Sequence, residues 1–137
     1  MTRADLQALA ERWMGFWRGG DLAAFAAVHA RSFIDHGAAG RAADRDGLAG
    51  AIRELYGAFP DFYATTERMA IDEAAGLVAI VWHATGQHRG TFAGAPPTHR
   101  VIHFTGLEML HCAGGQVVER WGEWDEPALL KQMQFGG

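Results

Sequence analysis

The spacing of apolar residues changes at Pro60, and that change constrains the fold more than any other feature of the chain. Before it, Leu6, Leu9, Trp13, Phe16 and Trp17 recur every three or four residues, as the buried stripe of a helix requires. Gly19-Gly20 stops this pattern, and Asp21 is placed to cap a second short helix carrying Leu22, Phe25 and Val28. Residues 33–37 read as a short extended piece. Asp46 can cap a third helix with Leu48, Ile52, Leu55, Tyr56 and Phe59 on its buried face. Beyond Pro60 the runs 62–71, 77–89, 100–112 and 116–124 are rich in strand-forming residues. Asp72-Glu73-Ala74-Ala75-Gly76 and Ala113-Gly114-Gly115 are short turns, so neighbouring strands should pair antiparallel. A short amphipathic helix over 127–133 closes the chain.

Helices first and a strand meander second predict an α+β domain, with three N-terminal helices on one face of a mixed, mainly antiparallel sheet. Strands of this length twist and bulge, which bends the sheet into a cone with a pocket at its mouth. A single domain over residues 1–137 accommodates everything, since no linker or repeat interrupts the sequence.

Composition narrows the function. A net charge of −4 with scattered basic residues offers no attraction for a phosphate backbone, so nucleic acid is not an expected partner. No stretch approaches the roughly 20 apolar residues of a membrane span, and no export signal is visible, so a cytoplasmic location is expected. Cys112 is the only cysteine, which rules out an internal disulfide and a thiolate zinc site. His99 and His103 have the spacing of helical zinc ligands, but in a strand that spacing separates them by about 13 Å. No metal is expected.

The residues that carry chemistry gather late in the chain. Asp125 follows Trp121 and adjoins Trp124, where indole packing would strip water from a carboxylate and raise its pKa. It is equally placed to cap the 127–133 helix, an Asp before Glu-Pro being an ordinary helix start. Glu119 and Trp121 share its parity on the last strand; if that face is concave, Glu119 can hold an arginine and Trp121 can stack on a flat substrate. Glu108, on a buried strand, needs a partner such as Arg100 or Arg120. His88, flanked by Gly86 and Gly90, is a substrate-binding candidate or a brace for the Pro96-Pro97 turn. His103 is a further substrate-binding candidate. Strict alternation puts His83 and His88 on opposite faces. Trp13 and Trp17 read as core.

Taken together, Asp35-His36, Ala58-Phe59-Pro60-Asp61, Gly86-Gln87-His88-Arg89-Gly90, Gly94-Ala95-Pro96-Pro97-Thr98, Glu119-Arg120-Trp121 and Asp125 resemble the SnoaL-like polyketide cyclase family over nearly the whole chain. The resemblance implies the cone-shaped fold shared with nuclear transport factor 2. It also implies an intramolecular aldol ring closure that needs no metal or organic cofactor, acting on a carbonyl-rich small molecule, in a protein that pairs as a homodimer. On the family's pattern Asp125 is the general base and His111 holds the developing enolate oxygen, and His36 is a third candidate, to orient the acceptor carbonyl. His111 also reads as a strand-end histidine facing water, and His36 stands where the cyclases carry an amide. Two other functions remain open at this point: a small-molecule carrier without turnover, and a hydrolase or dehydratase using the same carboxylate and imidazole to activate water.

Overall fold

The computed structural model describes residues 1–134, and its elements follow from local chemistry. Helix α1 (Arg3–Gly15) starts at a reciprocal cap: Asp5 N donates to Thr2 Oγ1 at 3.1 Å and Thr2 N donates to Asp5 Oδ2 at 2.9 Å. Its buried stripe is Leu6, Leu9, Ala10, Trp13 and Met14. The second helix is shorter than the sequence suggests. Asp21 accepts from Ala23 N and only closes a turn, while α2 is the single turn Phe25–Val28, because His29 already adopts extended dihedrals and opens strand β1 (His29–Asp35). The third helix, α3 (Arg45–Ala58), is capped by Asp44 and not by Asp46. Gly47 N, the donor that needs satisfying, lies three residues after Asp44 and donates to its Oδ1 at 2.8 Å.

Strands β2 (Tyr63–Asp72), β3 (Leu77–Gln87), β4 (Val101–Ala113) and β5 (Gln116–Trp124) form an antiparallel meander. β1 adds to its edge in parallel, giving the order β1-β5-β4-β3-β2. Ladder irregularities at Thr66/Arg68 and at His111/Cys112 mark where the long strands bend. Helix α4 (Glu126–Gln134) follows β5 directly. Because β5 ends opposite Gly106, the start of β4 lacks a strand partner on that side. The Gln132 carboxamide replaces one, accepting from His103 N at 2.8 Å and donating to His103 O at 2.7 Å.

Alternation sorts the strand residues onto two faces. On β4, Ile102, Phe104, Glu108, Leu110 and Cys112 point to the helix-covered side, while Val101, His103 and Leu107 point away from it. The core on the covered side includes Trp13, Phe59, Phe62, Ile80, Leu110 and Leu129. It also contains a buried imidazole: Trp13 Nε1 donates to His29 Nε2 at 3.0 Å, so the ring proton sits on Nδ1, which donates to Phe25 O at 2.8 Å. Burial holds this histidine's pKa below its ordinary value. Among the described residues no helix is long and apolar enough to cross a membrane.

Candidate active site

A cavity of about 780 Å³ opens between the covered face of the sheet, α1, α3 and the loop after β1. Met14, Trp17, Leu55, Phe62, Trp82, Phe92 and Trp124 supply apolar and aromatic wall. Glu54, Glu123 and Glu126 are exposed lining residues, and Glu108 and Arg120 are buried ones. Two glycines shape the cavity. Trp82 lies so close over Gly106 that a Cβ there would collide with the indole, so its absence lets the ring lie against β4. Gly122 is bare beside Arg120 Nη2 and Glu108 Oε2, which occupy the space a side chain would take.

Four charged side chains of alternating sign run along one side of this cavity. Arg41 Nη2 donates to Asp35 Oδ2 at 2.7 Å, and Arg120 Nη1 donates to Asp35 Oδ1 at 3.1 Å. The other edge of the Arg120 guanidinium grips Glu108, with Nε to Oε2 at 2.8 Å and Nη2 to Oε1 at 3.1 Å. Trp82 Nε1 adds a 3.2 Å bond to Glu108 Oε1, and Gly37 N donates to Asp35 Oδ1 at 2.9 Å. Asp35, Glu108 and Arg120 are 1%, 5% and 7% exposed, so each charge depends on its partners.

Burial pushes the Glu108 carboxyl above the ordinary carboxylate range, against the pull of Arg120. Burial also works against the charged Arg120, but Glu108 and then Asp35 outweigh it and hold the guanidinium protonated. A carboxylate of raised basicity beside a fixed cation is the pairing that carbon-acid chemistry needs: one accepts a proton and the other faces the charge left behind. Two buried donors on cavity-lining residues, Trp17 Nε1 and Arg41 Nε, lack an acceptor among the described residues.

The residues singled out from sequence lie elsewhere. Asp125 is exposed at the N-cap of α4, where its Oδ1 accepts from Ala128 N at 3.2 Å, and it is not among the residues lining the cavity. Glu119 and Trp121 do share a side, but it is the one the helices leave uncovered, because the inward positions of β5 are taken by Arg120, Gly122 and Trp124, and Asp125 lies beyond the end of the strand. On that uncovered face His111 Nδ1 and His36 Nε2 each bond to Glu119 at 2.9 Å, and His36 stacks on Trp121 at 4.7 Å. The hydrogen bonds from His111 and then His36 lower the Glu119 pKa. The structure thus brings His36, His111, Glu119 and Trp121 together, away from Asp125 and from the cavity. His103 is on the same face and stacks on His83 at 5.9 Å. His88 is fully buried with Nδ1 3.0 Å from Thr98 Oγ1 and accepting from Thr98 N at 3.2 Å, which ties β3 to the turn after Pro97. Among the described residues no three His, Cys, Asp or Glu side chains are grouped to hold a metal ion.

Of the two arginines the sequence offers Glu108, Arg100 and Arg120, the structure selects Arg120, while Arg100 reaches Gln132 O instead. Asp35 and Arg41 were missed as site residues. The available signal was parity: Asp35 follows Phe33 by two, so it is inward on β1.

The sequence pattern of the SnoaL-like polyketide cyclase family matches residues 7–133. Solved structures similar to this one include wild-type IdmH from Streptomyces antibioticus, described as a candidate polyketide cyclase. It is 29% identical, with 94% of this chain and 98% of that one covered and a TM-score of 0.83. AclR from Streptomyces galilaeus, described as a candidate hydroxylase, is 22% identical over 97% and 83% of the two chains at a TM-score of 0.87. TsrD from Streptomyces laurentii is 18% identical over 97% of each chain at 0.86. No curated protein matches the chain. The family match over nearly the whole length, on a mixed five-stranded sheet of the nuclear transport factor 2-like kind, shows that the chain belongs to the SnoaL-like polyketide cyclase family.

Proposed function

We propose that this protein is a cofactor-independent enzyme of the cyclase type, closing a ring in a carbonyl-rich small molecule by an intramolecular aldol reaction inside the cavity. The observation that carries the reading is the buried Glu108 on Arg120 beneath aromatic walls, in a member of a cyclase family. Aldol closure begins with removal of a proton from carbon, and the base must sit at reacting distance from the bound substrate. Two acids compete for that role. Glu108 lines the cavity and is desolvated, whereas Asp125, which the family resemblance implies, is exposed and engaged with Ala128 N. The geometry favours Glu108, with Asp125 holding the start of α4.

Turnover of the Glu108→Gln and Asp125→Asn variants on an accepted substrate tests the assignment. Loss of the first activity and survival of the second support it; the reverse pattern returns the base to Asp125. A binding protein without turnover is the second reading. It is favoured by the fact that both Glu108 oxygens are already engaged, and it predicts ligand capture with no product from the wild type.

The uncovered sheet face exposes Val101, Leu107 and Trp121. We take it as the surface through which two copies pair, and sedimentation velocity distinguishes a dimer from a monomer.

A further inference from the structure

We propose that the cavity binds its ligand as an enolate or enol anion held by Arg120, with Glu108 taking up one proton as the anion arrives. This rests on reading the cavity as the reaction site and adds what the site recognises. A guanidinium has five N–H hydrogens. Arg120 directs Nε and one Nη2 hydrogen at Glu108 and its Nη1 group at both Asp35 oxygens. One Nη2 hydrogen therefore has no acceptor among the described residues. It lies beside Gly122, a cavity-lining residue with no side chain to cover it.

The charge balance decides what this donor can hold. Arg41, Asp35, Arg120 and Glu108 sum to zero, so a third anion beside Arg120, added to Asp35 and Glu108, would leave the buried chain with one negative charge too many. Protonation of Glu108 restores neutrality and loosens its grip on Arg120, whose Nε and Nη2 edge then turns to the ligand oxygen. The charged groups facing Glu108 are Arg120 from β5 and, beyond it, Asp35, itself tied to Arg41. Among the described residues no other charged side chain bonds to it. In a reaction the ligand C–H bond breaks, its electron pair delocalises onto oxygen against Arg120, and the proton bonds to a Glu108 oxygen. An enol already ionised in solution draws that proton from solvent instead. Asp35 is a positioning residue: by holding both oxygens against Nη1 it leaves only the opposite edge of the guanidinium free to exchange partners.

The test uses 4-hydroxycoumarin, a planar acidic enol, against coumarin, which has the same rings without it. Calorimetry in buffers of different ionisation enthalpy counts the protons taken up by the wild-type protein, so the result does not depend on whether any variant folds. Near neutral pH the expected outcome is about one proton per 4-hydroxycoumarin bound, none for coumarin, and at least a tenfold preference for the enol. Glu108→Gln should bind the anion without uptake, and Arg120→Lys should lose most of the preference. Binding of the enol without proton uptake, or no preference over coumarin, overturns the proposal. Anion uptake in a protein that turns nothing over would sink the enzymatic reading alone, and turnover without anion preference would sink this inference alone.

Discussion

Arg120 joins two carboxylates that are far apart in sequence, accepted on one edge by Asp35 at 3.1 Å and on the other by Glu108 at 2.8 Å. The three come from β1, β5 and β4, which are adjacent in the sheet: Asp35 lies opposite Arg120, while Glu108 lies opposite Gly122, so the guanidinium reaches Glu108 diagonally across the ladder. Replacing Arg120 by Met leaves two buried carboxylates facing each other. Denaturant unfolding should show a loss of about 3–5 kcal/mol, while a substitution of exposed Arg53 stays within about 0.5 kcal/mol.

Gly106 makes room for the indole that donates to Glu108. In Gly106→Ala the new methyl group meets the Trp82 ring, and the expected cost is about 1–3 kcal/mol with partial loss of ligand affinity. Tryptophan fluorescence and chemical denaturation together read both effects. An unchanged spectrum with full stability would mean the ring has another resting place.

The buried His29 makes stability fall in acid. Its folded pKa lies below that of the unfolded chain, so the unfolded state binds the extra proton. Stability is full above the unfolded value of about 6.5 and declines as pH drops through it toward the folded value. Thermal melts from pH 7.5 to 5 should show a falling Tm, and His29→Asn should flatten that slope even where it lowers the Tm at every pH. An equally steep slope in the variant would assign the effect to another group.

Glu119 bridges two histidines at the surface, where solvent screens their attraction. Glu119→Gln should leave the thermal melt nearly unchanged, and His111→Ala should retain turnover. Loss of turnover in His111→Ala with a normal melt would move the reaction centre to the uncovered face.

The element order and the antiparallel meander were legible in the sequence because the hydrophobic period changes from helical to alternating at Pro60 and each strand ends at a turn rich in glycine or acid. The shared side of Glu119 and Trp121 was legible too. Which face of the sheet they occupy was not, since alternation divides a strand into two sets without saying which set the helices cover. Glu108 gave the clearest clue, an acid on the same parity as Ile102, Phe104 and Leu110. Asp35 was harder to read because its partners lie six and eighty-five residues away, and only the parallel addition of β1 to β5 brings it to Arg120. The start of α3 shows the same limit on a smaller scale, Asp44 and Asp46 being indistinguishable until the helical turn decides which one faces a free N–H.

The proposed proton acceptor is the Glu108 carboxylate inside the cavity. This assignment is tested most directly by following deuterium exchange at the activated methylene of an aryl β-keto ester in D₂O by NMR, with wild type, Glu108→Gln and Asp125→Asn compared at equal concentration. Protein-catalysed exchange should fall by about a hundredfold in Glu108→Gln and stay within a factor of about two in Asp125→Asn. Exchange that survives in Glu108→Gln and collapses in Asp125→Asn would contradict it.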